Sequence, residues 1–158
     1  MIALLTWVHL LASMSWIGGM MFLSLVVVPV LKQPAVASHR GLLFAPLARR
    51  FRMIAWISMA ILLSTGPLLA VFRGINLSDP LAWPVVLQLK LGLVLILMVL
   101  SVGHDLIVGP RVSQIARKPL PERTMAEVRL VRWSPLLARS TLLLAVAVAY
   151  AAVSLARS

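Results

Sequence analysis

Residues 3–31 read ALLTWVHLLASMSWIGGMMFLSLVVVPVL, and no position in that stretch carries a charged side chain. A helix rises 1.5 Å per residue, so about 20 residues cross the ~30 Å hydrocarbon core of a bilayer, and this run exceeds that length. Lipid offers no water to unpaired amides, so a crossing segment must satisfy its backbone internally, as a helix does. Three further runs share the character. Met53 to Phe72 contains no charge, Leu81 to Gly109 is interrupted only by Lys90, His104 and Asp105, and Ser134 to Ala156 only by Arg139. The expected fold is all-α: an integral membrane four-helix bundle, one transmembrane domain over residues 1–158, with helices at about 2–31, 53–72, 81–109 and 134–156.

Composition agrees with this reading. The chain is 61% apolar and 12% charged, with a mean hydropathy of +1.02, whereas a soluble domain is roughly a quarter charged. The first run has no basic segment before it and no small-residue cleavage site after it, so it reads as a retained helix rather than a signal peptide. There is no cysteine, which excludes disulfides and thiolate-bound metals.

The net charge of +11 suggests nucleic acid until its placement is considered. Lys32, Arg40, Arg49, Arg50 and Arg52 lie between the first two runs. Arg111, Arg117, Lys118, Arg123, Arg129 and Arg132 lie between the last two. The middle link has only Arg73, opposed by Asp79. This is the positive-inside pattern. It makes 32–52 and 110–133 basic cytoplasmic loops and puts both termini on the outer, periplasmic side of a bacterial inner membrane. The expected partner is the lipid bilayer, whose anionic headgroups attract such loops, and nucleic acid is excluded. Trp7 and Trp83 fall near the outer ends of their helices and Trp56 and Trp133 near the inner ends, as an aromatic belt requires. A weak repeat is also visible. His9 precedes Pro29 by twenty residues and Lys90 precedes Pro110 by twenty, each proline opening a basic segment.

Ionisable groups in hydrocarbon cost several kcal/mol and call for a partner or a purpose. Four fall within the expected spans: His9, Lys90, His104 and Arg139. Measured from Trp16 and Ile96 as helix midpoints, His9 and Lys90 lie about 10 Å and 9 Å toward the outside, and His104 about 12 Å toward the cytoplasm. His9 and Lys90 are thus level, whereas His104 sits too far away to share an iron with His9. His9, Ser13 and Trp16 share a helical face, as do Lys90, Leu97, Ser101 and His104, and Arg139 and Tyr150. In a bundle these faces are expected to point inward. Plainer roles stand beside these: His9 can simply hydrogen-bond a neighbouring helix, Lys90 can snorkel to the outer interface, His104-Asp105 reads as an interfacial pair, and Arg139 either snorkels to the cytoplasmic surface or pairs with Asp105. Gly18-Gly19 reads as a close helix contact. The scattered methionines read as packing.

Trp7-Val8-His9-Leu10-Leu11 followed by Ser15-Trp16-Ile17-Gly18-Gly19 resembles the first helix of CopD-type (copper resistance D family) membrane proteins and the His-x6-Trp start of HemJ-type membrane haem proteins. Leu89-Lys90-Leu91-Gly92 resembles a segment of the third helix in both, and His104-Asp105 with Val108-Gly109-Pro110-Arg111 resembles the end of that helix in short CopD-like proteins. HemJ-like chains carry an Arg and a His where this one has Ser24 to Pro29, so CopD is the nearer likeness. The resemblance implies a haem b protein in membrane redox or electron transfer. It makes His9 the axial ligand and Lys90 the second functional residue; Ser13 and Trp16, on the face they share with His9, are the further cofactor-binding candidates, Trp16 as the floor of the pocket. The alternatives it leaves open are a copper transport or resistance component and a non-catalytic accessory subunit. Either fits a homodimer or a larger membrane complex, and an oxidoreductase activity of HemJ type is one further implication.

Overall fold

The computed structural model describes residues 1–157. It is helical throughout, with no strand among the described residues. The helices are α1 (Ile2–Phe22), α2 (Val28–Val30), α3 (Pro34–Ala37), α4 (Arg40–Phe72), α5 (Val85–Gly103), α6 (Gly109–Arg117) and α7 (Met125–Arg157). Four helical stretches, Ile2–Val30, Gly41–Phe72, Val85–Ile115 and Met125–Ser154, are long and apolar enough to span a membrane. The chain divides into two compact units that meet at Pro84 and Val85. In the first unit α1 packs along α4; in the second α5 packs along α7, and α6 folds back on α7.

Each core is narrow. In the first unit it holds Ala12, Trp16, Val27, Leu31, Ala55 and Met59, and in the second Leu87, Leu97, Ile115 and Ala145. Large apolar side chains instead cover the outer surface, among them Leu25, Ile57, Leu95, Val99 and Leu143. Water would not tolerate so much apolar surface, but lipid tails solvate it as well as a protein interior does. Trp7, Trp56 and Trp133 are exposed, as belt residues are, and Trp16 is buried.

Several helices outrun the sequence expectation. α4 begins at Arg40, so most of 32–52 is helix rather than loop, and α7 begins at Met125 rather than 134. Hydropathy ends where arginines begin, but arginine is a good helix former, so the helix continues beyond the apolar run. The start of α7 is fixed by a capping box. The Thr124 N–H donates to Glu127 Oε2 (2.9 Å) and the Glu127 N–H to Thr124 Oγ1 (3.3 Å), which satisfies amides that the first turn leaves open. The third run starts at Val85, four residues later than expected, after a 3-10 turn at Pro80–Ala82.

The two long N-terminal helices of the units also break their α geometry at matching points. Leu23–Val27 and His104–Val108 are π-helical segments separated by 81 residues, the same offset that separates Pro29 from Pro110 and His9 from Lys90. The proline explains the break. It has no N–H to give the preceding turn, and its ring presses on the carbonyl four residues back. Widening the turn relieves that clash, and the last N–H before each proline reaches five residues back instead, Val28 to the Leu23 carbonyl and Gly109 to the His104 carbonyl. The helix therefore continues through Pro110 as α6, where the sequence suggested a loop.

α4 ends in a Schellman turn. Gly74 takes φ +78°, the Ile75 N–H reaches the Ala70 carbonyl (3.1 Å) and the Gly74 N–H the Val71 carbonyl (2.9 Å), so two end carbonyls are satisfied. The turn that follows is closed by Trp83, whose Nε1 donates to the Asn76 carbonyl at 2.7 Å.

Candidate functional site

His9 sits on α1 against the C-terminal half of α4. Its Nδ1 lies 2.7 Å from Thr65 Oγ1, and Thr65 is buried. The same hydroxyl lies 2.6 Å from the Ile61 carbonyl one turn back. These two contacts decide the histidine's tautomer. A threonine hydroxyl has one proton, and the Ile61 carbonyl can only accept, so the proton lies on that bond. Thr65 must then accept from His9, which places a proton on Nδ1. The ring's Cε1 faces Gly66, where a Cβ would meet it at 3.8 Å. The small residue lets α4 pass close to the imidazole.

The sequence signal for this partner was Thr65-Gly66-Pro67. Pro67 cannot continue the hydrogen-bond ladder, and hydroxyls beside an intramembrane proline commonly bind carbonyls. Ser64 does the same, donating to Ala60 at 2.9 Å. The hydropathy pattern alone gave no reason to pair Thr65 with a residue on another helix.

The remaining candidates fall as follows. Ser13 Oγ donates to the His9 carbonyl at 2.9 Å, so its proton is spent along α1 and is not directed at a ligand. Trp16 is buried two turns below His9. Lys90 is half-buried on α5, in the second unit. On its face Leu97 is only 1% exposed and the Ser101 hydroxyl is buried without a hydrogen-bond partner. His104 and Asp105 open the second π segment, with Nδ1 and Oδ1 3.5 Å apart. Arg139 and Tyr150 are exposed, so the face they share points outward, not into a polar seam as expected. Arg139 makes no ion pair with Asp105. Equal phase places two residues on one side of a helix without saying which side is covered.

An apolar groove of about 310 Å³ runs along the same helix pair, lined by Val8, Leu11, Ser15, Ile57, Ser58 and Ile61 among others. Ile61 thus borders the groove with its side chain and anchors Thr65 with its carbonyl. Among the described residues no three His, Cys, Asp or Glu side chains gather as a metal cluster. Comparison with protein-family models, curated proteins and solved structures returns no match.

Proposed function

We propose that the protein is a multi-pass protein of the bacterial inner membrane, with both termini outside and its basic segments in the cytoplasm. It carries haem b for membrane redox or electron transfer, in the manner of CopD-type and HemJ-like proteins. The observation that carries this reading is the hydrogen bond from His9 Nδ1 to Thr65. Histidines that ligate metals characteristically donate the second ring N–H to an oxygen, which fixes the ring and raises its basicity. Here a buried hydroxyl, itself anchored on the Ile61 carbonyl, fills that role.

Bound haem supplies one-electron chemistry, with a potential set by its axial ligands. His9 would hold the iron, Thr65 would orient the ring, and Gly66 would leave space beside it. Lys90 is the proposed second haem-directed residue, on the sequence reading of its depth.

The visible spectrum of detergent-purified protein tests the proposal. A Soret band that is lost in His9→Ala and kept in His104→Ala is the expected result. A colourless protein with bound copper would overturn it in favour of transport, and a colourless, metal-free one in favour of an accessory role.

A further inference from the structure

The hairpin formed by α6 and the start of α7 encloses a cleft of about 300 Å³, lined by Arg111, Gln114, Ile115, Lys118, Glu127 and Leu130 among others. Arg111, Gln114 and Lys118 follow i, i+3, i+7 spacing and so share one face of α6 and its end. The connector is tightly braced. Lys118 Nζ meets Glu127 Oε1 at 2.6 Å, and the capping box takes the other carboxylate oxygen. Arg123 grips the Lys118 carbonyl through both Nε (3.0 Å) and Nη2 (2.8 Å).

The charge is unbalanced. Glu127 is committed to Lys118 and to the helix cap, so the Arg111 guanidinium is left uncompensated. Neither Arg111 nor Gln114 bonds another described residue. The cleft therefore presents one net positive charge and a pair of unspent donors, a guanidinium and an amide, one turn apart. A singly charged phosphodiester matches that inventory, since guanidinium bonds phosphate oxygens in a fork. Trp133, on the α7 face that carries the lining residues Ala126 and Leu130, is exposed one turn beyond the cleft. Acyl chains would cover such a surface, and a soluble phosphate would not.

We propose that this cleft binds the phosphodiester of an anionic phospholipid headgroup, with Arg111 and Gln114 as its donors and Lys118 held in place by Glu127. The proposal rests on the membrane reading above. Retention of the protein in native membranes after alkaline carbonate washing reports on that reading alone, so the two failures are separable. The test proper is native mass spectrometry of the full chain in neutral detergent, titrated with phosphatidylglycerol, with phosphatidylcholine and with inorganic phosphate.

One phosphatidylglycerol is expected to bind in preference to phosphatidylcholine. Arg111→Gln should weaken it about tenfold, as expected for loss of a charge-assisted hydrogen bond. Arg132→Gln, an exposed charge removed from α7 outside the cleft, should change it less than threefold. Equal losses in both variants would mean diffuse attraction and overturn the site. Equal binding of phosphatidylcholine would overturn charge recognition, and displacement of the lipid by millimolar inorganic phosphate would overturn the lipid as the source. The doubly altered Arg111→Lys/Gln114→Ala chain keeps the charge and loses the fork, so full binding there would also overturn the assignment.

Discussion

Gly18 and Gly19 are adjacent in α1 and look interchangeable in sequence, yet they face different surroundings. An added Cβ at Gly18 meets nothing within 4 Å. At Gly19 it would lie 2.8 Å from Phe51 Cδ2, closer still to Cε2, and 3.2 Å from Cζ. Gly19→Ala must therefore push the Phe51 ring away from α1. Overpacking of this kind costs about 1–3 kcal/mol, and the obstacle is the end of a side chain rather than backbone, which favours the lower half of that range. Alanine also gains about 1 kcal/mol over glycine in a helix interior. That gain applies to both positions, so the difference between the two variants isolates the clash at about 1–2 kcal/mol.

Thermal unfolding followed by circular dichroism in mild detergent gives the comparison. Gly18→Ala should melt at or above the wild-type temperature, and Gly19→Ala roughly 3–6 °C below Gly18→Ala at the usual 2–4 °C per kcal/mol for a chain of this size. Coupling supplies the control: in a Phe51→Leu background Gly19→Ala should cost about 1 kcal/mol less. If the two alanine variants melt together, the ring is not seated on Gly19 and the α1–α4 contact is wrongly described.

Three other outcomes are expected. Thr65→Val should weaken haem retention about 10–100-fold while Thr65→Ser preserves it, because the hydroxyl orients His9; haem dissociation into apomyoglobin reads the rate, and equal rates for the two variants would remove Thr65 from the site. Single cysteines placed at Ser78 and at Gln33 should react with an impermeant thiol reagent in intact cells only at Ser78, and the reverse pattern would invert the topology. Pro29→Ala should give residue 29 an N–H that bonds the preceding turn and returns Leu23–Val27 to α geometry; hydrogen–deuterium exchange should find that amide protected, and rapid exchange there would mean that something other than the proline holds the π segment open.

The four membrane-length helices were legible because hydrophobicity acts residue by residue and adds along a run. Their ends were not, because Arg49, Arg50 and Arg52 terminate a hydropathy window without terminating a helix. His9 stood out as a lone imidazole in an apolar run, but Thr65 did not, since hydroxyls in membrane helices usually bond their own backbone and this one does that as well. The division of labour between Gly18 and Gly19 depends on where Phe51 lies, which is a fact about α4. The outward face of Arg139 and Tyr150 has the same origin: spacing fixes relative direction around an axis, and only a neighbouring helix says which direction is inside.

A π turn is geometrically an α-helix holding one residue too many. Each unit carries such a surplus residue, in Leu23–Val27 and in His104–Val108. Deleting one residue within either segment would close the helix and leave everything before and after it pointing as it does now. The same deletion at Leu10 or Leu95 would turn all that follows by about 100° about the helix axis, exchanging covered faces for exposed ones. The chain thus holds two places where its length is adjustable by one, both next to a proline and both clear of the stretch that carries His9.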